Sequence, residues 1–410
     1  MGHLGNIREK IQERSQAGGR YVRRVSTSVY AVIALYLLFG LSAISKAAQR
    51  VKRVIQSRKI FLRSSQSSHL MTSPWGYFHA SWDESELPRS AAEDYDVLRD
   101  PNRRVESDFR VPSELKARVR FWAEIYSRYS SHYRVVHDRD NPEIVYGVID
   151  LTPIYQNFSA RAAASKAWQL DKKIQKELKE RISEAMDITR PRKPKLSAEE
   201  REEIRDWLAG FDVKDAVSAQ RLLKRMRSQS GQRDKFEKAV QRSEKYLPQI
   251  EELFRQRGLP VALARLPFVE SSFNPHAVSR SGAIGMWQFM PETARRFHPT
   301  GGPKEWTDPV SQSRSAARML TILRERLGDW GIAVTAYNSG AVRLARLVKE
   351  HKAESIADLI DLEPRRGRLG FAGKNFYCEL LAAIHVEAYK DKIFPQQTLL
   401  TPTSGIAVKE

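Results

Sequence analysis

Among the 410 residues of this chain, only Glu143-Ile-Val-Tyr-Gly-Val-Ile-Asp150 reads as a convincing β-strand, and that constrains the fold more than any other feature. Elsewhere apolar residues recur at spacings of three and four, as on a helix with one buried face. From Ser113 onward Leu115, Val119, Trp122, Tyr126 and Tyr129 share such a face. The pattern resumes over 158–185, breaks at Pro191 and Pro194, and restarts at Ser197-Ala-Glu-Glu200 with the spacing of a capping box. It continues through Lys235–Arg257, with Phe236, Val240, Tyr246, Ile250 and Phe254 as expected core contacts, and stops at Gly258-Leu-Pro260. Further helices are expected at 261–270, 291–297, 311–327, 330–345 and 373–390. A mainly α chain follows, and 41% hydrophobic content is enough for a substantial core.

The formal charge of +20 suggests nucleic acid until its distribution is examined. Residues 1–70 hold 13 Lys and Arg against 2 Glu, a net +11, and the other 340 positions carry only +9. The excess flanks an uncharged stretch from Val25 to Ser45, which argues against nucleic-acid binding and for a membrane partner. At about 1.5 Å per residue those positions span roughly 30 Å, the thickness of a bilayer core. Ser45-Lys46-Ala47 also satisfies a signal peptidase site, so a retained anchor and a cleaved export signal both stand. The single cysteine, Cys378, excludes an intrachain disulfide and reads as a small core residue. The expected divisions are a basic segment at 1–24, the membrane or signal segment at 25–45, a flexible tether at 46–110, a helical region at 111–230, a compact helical domain at 231–394 and a tail at 395–410.

One carboxylate stands out. Glu270 follows Leu266, Pro267, Phe268 and Val269, so a helix ending there holds its carboxyl against apolar surroundings. Desolvation disfavours the charged form, and a carboxyl that stays protonated near neutrality can serve as a general acid. A buried structural carboxylate fits the same local pattern. Downstream, Ser279 and Ser281 offer hydroxyls, and Gly282 and Gly285 permit a tight turn close to a ligand. Trp287 offers a ring for a sugar face, or a core contact, and Gln288 offers an amide. His137 and Asp138 lack the companions that a metal site or a triad needs. The basic loop at 190–195 reads as a solvated connector.

Four motifs occur in a telling order: Leu266-Pro-Phe-Val-Glu-Ser-Ser-Phe-Asn274, Gly282-Ala-Ile-Gly-Met-Trp-Gln-Phe-Met-Pro291, Ala336-Tyr-Asn-Ser-Gly340 and Asn375-Phe-Tyr-Cys-Glu-Leu-Leu-Ala-Ala383. The stretch from about 235 to 394 thereby resembles the soluble-type lytic transglycosylases. Residues 113–151 are similar, less specifically, to the region that precedes the catalytic domain in such proteins.

The resemblance implies a mainly α, lysozyme-like (goose-type) domain that cleaves between N-acetylmuramic acid and N-acetylglucosamine without consuming water. Its substrate partner is the peptidoglycan glycan strand, and it implies neither metal nor cofactor. Glu270 takes the place of the single catalytic acid and base. It protonates the glycosidic oxygen, then accepts the proton of the muramic C6 hydroxyl as that oxygen closes on C1, leaving a 1,6-anhydro sugar. This departs from the paired carboxylates of ordinary glycosidases. By the same resemblance Ser279, Ser281, Met286, Gln288, Tyr337, Asn338 and Tyr377 fall at substrate-binding positions. Phe371-Ala-Gly-Lys374 stands where some relatives carry a second acid, which puts a second carboxylate in doubt. A muramidase that uses water at the same bond, and an inactive wall-binding protein, are the rival readings.

Overall fold

The computed structural model describes residues 77–80, 87–191, 193–297, 305–362 and 368–395. The basic segment at 1–24, the Val25–Ser45 segment and the tail beyond Pro395 lie outside these residues, as does the first part of the expected tether. Among the described residues no helix is long and apolar enough to cross a membrane.

The elements run β1 (Phe78–Ala80), α1 (Ala91–Asp94), α2 (Lys116–Ser127), β2 (Tyr133–Asp138), β3 (Val145–Asp150), α3 (Thr152–Asn157), α4 (Ala160–Ala185), α5 (Ala198–Ala209), α6 (Ala216–Arg225) and β4 (Met226–Ser230). Helices then dominate: α7 (Arg233–Ser243), α8 (Leu247–Gln256), α9 (Leu266–Ser271), α10 (Pro291–Phe297), α11 (Pro309–Leu327), α12 (Trp330–Ser339), α13 (Ala341–His351), α14 (Ile356–Leu362), α15 (Gly370–Ala388) and α16 (Lys390–Ile393). The mainly α class expected from periodicity is what forms. The capping box forms too: Ser197 Oγ accepts from the Glu200 N–H at 3.2 Å, and the Glu200 carboxylate accepts from the Ser197 N–H at 2.8 Å. Two expected helices each divide. Lys235–Arg257 becomes α7 and α8, with a proline in the first turn of α8, and 330–345 breaks at Gly340, whose φ is 92°.

The single expected strand is corrected to a four-stranded antiparallel sheet in the order β1-β3-β2-β4. β4, Met-Arg-Ser-Gln-Ser, has no β-prone composition and is a strand because β2 offers it an edge. Alternation along the strands divides the chain into two cores. Val136 and Ile149 face Ile174, Ile182, Leu208 and Leu222 of α4 to α6, whereas Val135 and Val148 join the larger helical core.

The expected flexible tether at 46–110 is corrected in its described part. Val97, Val105 and Phe109 are buried in the larger core. The Nδ1 and Nε2 atoms of His385 lie 2.8 Å and 3.3 Å from the carbonyls of Val97 and Phe109, and Tyr389 donates to Asp100 at 2.8 Å. These residues lack periodicity because they follow the surface of α15 and form little regular structure of their own. The boundary expected at 231 is likewise not a packing boundary. α2 lies along α15, and Trp122 Nε1 and Arg118 Nη1 both donate to Asn375 Oδ1, at 3.0 and 3.2 Å.

Candidate active site

Glu270 occupies the last turn of α9, a six-residue helix with Pro267 in its first turn and Leu266, Pro267 and Phe268 buried. The helix ends abruptly. Ser272 and Phe273 both adopt left-handed backbone, at φ 53° and 57°, and Phe273 is fully buried against Phe268. Consecutive left-handed residues other than glycine are held only where their surroundings over-determine them. Here the Phe273 N–H donates to the Pro267 carbonyl at 3.0 Å, and Ser271 Oγ donates to the Met286 carbonyl at 2.7 Å, tying the turn to the 282–288 loop.

The Glu270 side chain is half-buried and receives no hydrogen bond among the described residues. Burial, and secondarily the charge of Glu379, push its carboxyl up to about 8. It can hold a proton at neutral pH and still meet a ligand from its exposed side.

The 282–288 loop is pinned by Trp287. Its N–H donates to Gln312 Oε1 at 3.1 Å, its indole N–H donates to Ser313 Oγ at 2.9 Å, and its carbonyl accepts the Tyr337 hydroxyl at 2.7 Å. Its ring is fully buried and stacked on Phe254, so the possible sugar platform is corrected to a core residue. Met286 is fully buried as well, which corrects its expected place on the sugar-facing surface: the tight turn at Gly285 directs it into the core. Gln288 is half-buried, and its Nε2 donates to the Gly285 carbonyl at 2.8 Å.

Ser279 Oγ accepts from the Ala283 N–H at 2.9 Å and lies 3.1 Å from Ser281 Oγ. The two hydroxyls form a pair at the loop surface, Ser281 being exposed, and neither bonds Glu270. Tyr337 is within charge range of Glu270, which joins burial in raising its phenol. Its one proton is directed to the Trp287 carbonyl rather than to the site. Asn338, next on α12, is exposed.

The last motif is reassigned. Tyr377 is buried, and the charges that bear on it are those of Asp329, Cys378 and Asp108, not Glu270. Two residues on, at about 100° per residue, the helix presents an almost opposite side. There Glu379 is half-buried, accepts a hydrogen bond from Tyr126 of α2 and lies within charge range of Arg227 of β4 and of Glu270. Sequence reasoning missed Glu379, although the signal was the one that singled out Glu270: a lone acid among apolar neighbours, here Cys378, Leu380 and Leu381. Nothing local pointed to Tyr126 or Arg227, which stand 253 and 152 positions away from it.

His137 is fully buried with its imidazole pushed down to about 4, chiefly by burial, and its Nδ1 lies 2.8 Å from the Asp138 carbonyl. Asp138 accepts from Tyr146 at 3.1 Å beside Arg225 Nε at 3.0 Å, a structural cluster in the sheet. The basic 190–195 loop borders a cavity of about 810 Å³ beside α4, which shares no residue with the Glu270 site. Its charges are partly answered within the chain, Lys195 by Glu180 at 3.2 Å and Arg181 by Glu200 at 3.0 Å.

Residues 248–360 match the family described as "Transglycosylase SLT domain". A curated relative from Alteromonas sp. (strain M-1), described as "Putative tributyltin chloride resistance protein", is 31% identical over 142 residues, covering 33% of this chain and 68% of that protein. The chain belongs to the SLT transglycosylase domain family. Its SLT domain is also similar to membrane-bound lytic murein transglycosylase D of Escherichia coli (strain K12), 37% identical over 115 residues that cover 27% of this chain and 25% of that protein. Membrane-bound lytic murein transglycosylase C of Glaesserella parasuis serovar 5 (strain SH0165) is 34% identical over 140 residues, 30% of this chain and 38% of that protein. The chain thus spans about a quarter of the transglycosylase D relative and under two fifths of the transglycosylase C relative. The matched SLT residues include Glu270, the 282–288 loop and Tyr337, and they stop short of α15.

Proposed function

We propose that this chain is a peptidoglycan lytic transglycosylase that cleaves the β-1,4 bond between N-acetylmuramic acid and N-acetylglucosamine with formation of a 1,6-anhydromuramic end. The observation that carries the reading is Glu270, a half-buried carboxyl with no hydrogen-bond donor among the described residues, raised to about 8 and set in the SLT domain. Protonated, it gives its proton to the glycosidic oxygen. The resulting carboxylate then takes the proton of the muramic C6 hydroxyl as that oxygen closes on C1, so proton and oxygen both balance without water. The exposed Asn338 and Ser281, with half-buried Ser279 and Gln288, are the polar groups proposed to meet the acetamido and hydroxyl groups of the sugars. Tyr337 is assigned to holding the loop through Trp287.

The place of action is proposed as the periplasmic side of the bacterial inner membrane, in keeping with the membrane-bound relatives and the Val25–Ser45 stretch. Removing residues 1–70 is expected to release the protein from membranes and leave strand cleavage intact. Continued membrane association of that shortened chain would count against the anchor.

The deciding experiment is mass analysis of purified sacculi digested by wild type and by Glu270→Gln. Anhydro ends, one water lighter than reducing ends, are expected from wild type and none from the variant. Reducing ends from wild type would favour a muramidase, and anhydro products from Glu270→Gln at the wild-type rate would overturn the role of that residue.

A further inference from the structure

We propose that the outer flank of α4, from Arg161 through Trp168 to Lys179, is a second binding site for the peptidoglycan strand, with Trp168 against a sugar and Lys172 and Lys179 on carboxylates of the stem peptides. The ligand class rests on the reading of Glu270 as an acid that cuts such strands. The site itself is built from residues outside the matched SLT segment.

α4 is 26 residues long, and one side of it serves the smaller core through Ala167, Ile174, Leu178 and Ile182. A neighbouring flank has no such use. At about 100° per residue, Arg161, Lys172 and Lys179 fall within about 40° of Trp168 around the axis, along about 27 Å of its length. Trp168 is 62% exposed, although the helix that carries it has a core to face. One turn further on, Lys172 enters the lining of the cavity of about 810 Å³ bordered by the 190–195 loop, and Lys179 and Lys195 line it too.

The acids near this flank are engaged or turned away. Asp171 is buried and accepts from Gln175 at 2.7 Å and from Ser228 at 3.1 Å. In the cavity, Glu180 pairs with Lys195 at 3.2 Å and with Lys176 at 3.9 Å, and Glu184 accepts from Arg201 at 2.8 Å and from the Lys195 N–H at 2.9 Å. Glu177, nine residues from Trp168, falls on the opposite side of the axis. Among the described residues the ammonium groups of Lys172 and Lys179 enter no ion pair.

An exposed ring beside unanswered ammonium groups suits a polymer that presents both C–H faces and anions. A glycan strand does so, through its pyranose rings and the carboxylates of its stem peptides. A bilayer fits less well, because a helix lying in the interface needs a broad apolar face. Here the exposed neighbours of Trp168 on the flank are Ala164, Ser165 and cations. Each contact is weak at an exposed position, but contacts repeated along one polymer reinforce one another. A strand held on α4 also raises the local concentration of substrate for the catalytic domain of the same chain.

The test is co-sedimentation of the full chain, kept in detergent and carrying Glu270→Gln, with purified sacculi. Lys172→Glu with Lys179→Glu should raise the apparent Kd for intact sacculi about tenfold, and Trp168→Ala about threefold. On sacculi stripped of stem peptides by an amidase, the charge reversal should lose its effect and Trp168→Ala should keep its own. Trp168→Ala carries the test if the charge-reversed chain does not fold. Unchanged affinity in the folded variants overturns the proposal, as does a charge-reversal effect of equal size on stripped and intact sacculi. Loss of binding to phosphatidylglycerol vesicles with sacculus binding intact overturns it as well, in favour of a membrane face. Failure of the Glu270 reading shows separately: anhydro fragments released into the supernatant count against that residue, whereas the comparison of variants in the pellet judges the α4 flank.

Discussion

The guanidinium of Arg242 grips the carbonyl of Ser272 with two donors, Nε at 2.9 Å and Nη2 at 2.6 Å. It thereby clamps the left-handed turn that ends α9 two residues after Glu270. Left-handed backbone at a bulky residue costs on the order of 1–3 kcal/mol, so Ser272 and Phe273 need such a clamp.

Arg242→Ala should therefore lower strand-cleavage rate about tenfold, with a stability loss of about 1–3 kcal/mol from the orphaned carbonyl. Arg242→Lys should restore little, because a single ammonium cannot replace the fork. Initial rates and urea melts check both, and full activity in the alanine variant would show that the clamp is not needed.

Glu270→Gln should change stability in a pH-dependent way. The carboxyl is raised from 4.5 in the unfolded chain to about 8 in the folded one. Below pH 4.5 both states hold the proton, and the native state suffers no penalty. As pH rises from there to 8 the unfolded chain releases its proton first, so wild-type stability falls. Glutamine does not ionise. The variant should gain on the order of 1–3 kcal/mol over wild type at pH 8, and nothing through this route at pH 4. Denaturant melts across pH measure it, and an equal gain at every pH would reject the explanation.

Gly285→Ala should destabilise by about 2 kcal/mol or more. Its φ is 76°, and an added Cβ would sit 2.6 Å from Gln312 Cδ, displacing the amide that also bonds the Trp287 N–H. A thermal melt indistinguishable from wild type would show that the loop has room it does not display.

Trp287→Ala should lower stability by about 3–5 kcal/mol, as expected for a buried aromatic. The loss should be the same with or without glycan fragments, because the ring is stacked on Phe254 and closed to solvent. A stable variant with a specific loss of glycan affinity would restore the sugar platform.

Tyr377→Phe should leave the pH profile of cleavage unchanged. The residue lies on the side of α15 away from Glu270, so loss of its hydroxyl should cost less than about 1 kcal/mol. A shifted alkaline limb in this variant would place it back in the site.

Helix existence and several boundaries were legible because 3.6-residue periodicity and caps are local. α10 spans 291–297 as its pattern predicts, and Ser197 and Glu200 make the box that their spacing predicts. Strand β4 and the segment from Val97 to Phe109 were not legible, since both take their conformation from a neighbour.

By itself the sequence determined that the chain is mainly helical and that Glu270 ends a helix in apolar surroundings. It also determined that a turn with Gly285 follows, because torsional preference and hydrophobic spacing act over a few residues. Only the tertiary structure decided which side of α15 meets Glu270, exchanging Tyr377 for Glu379. It also decided that Trp287 is core, stacked on Phe254 and closed to solvent. A helix's periodicity defines its faces but not their partners. Partners come from packing between segments more than a hundred residues apart, where burial and charge are settled together.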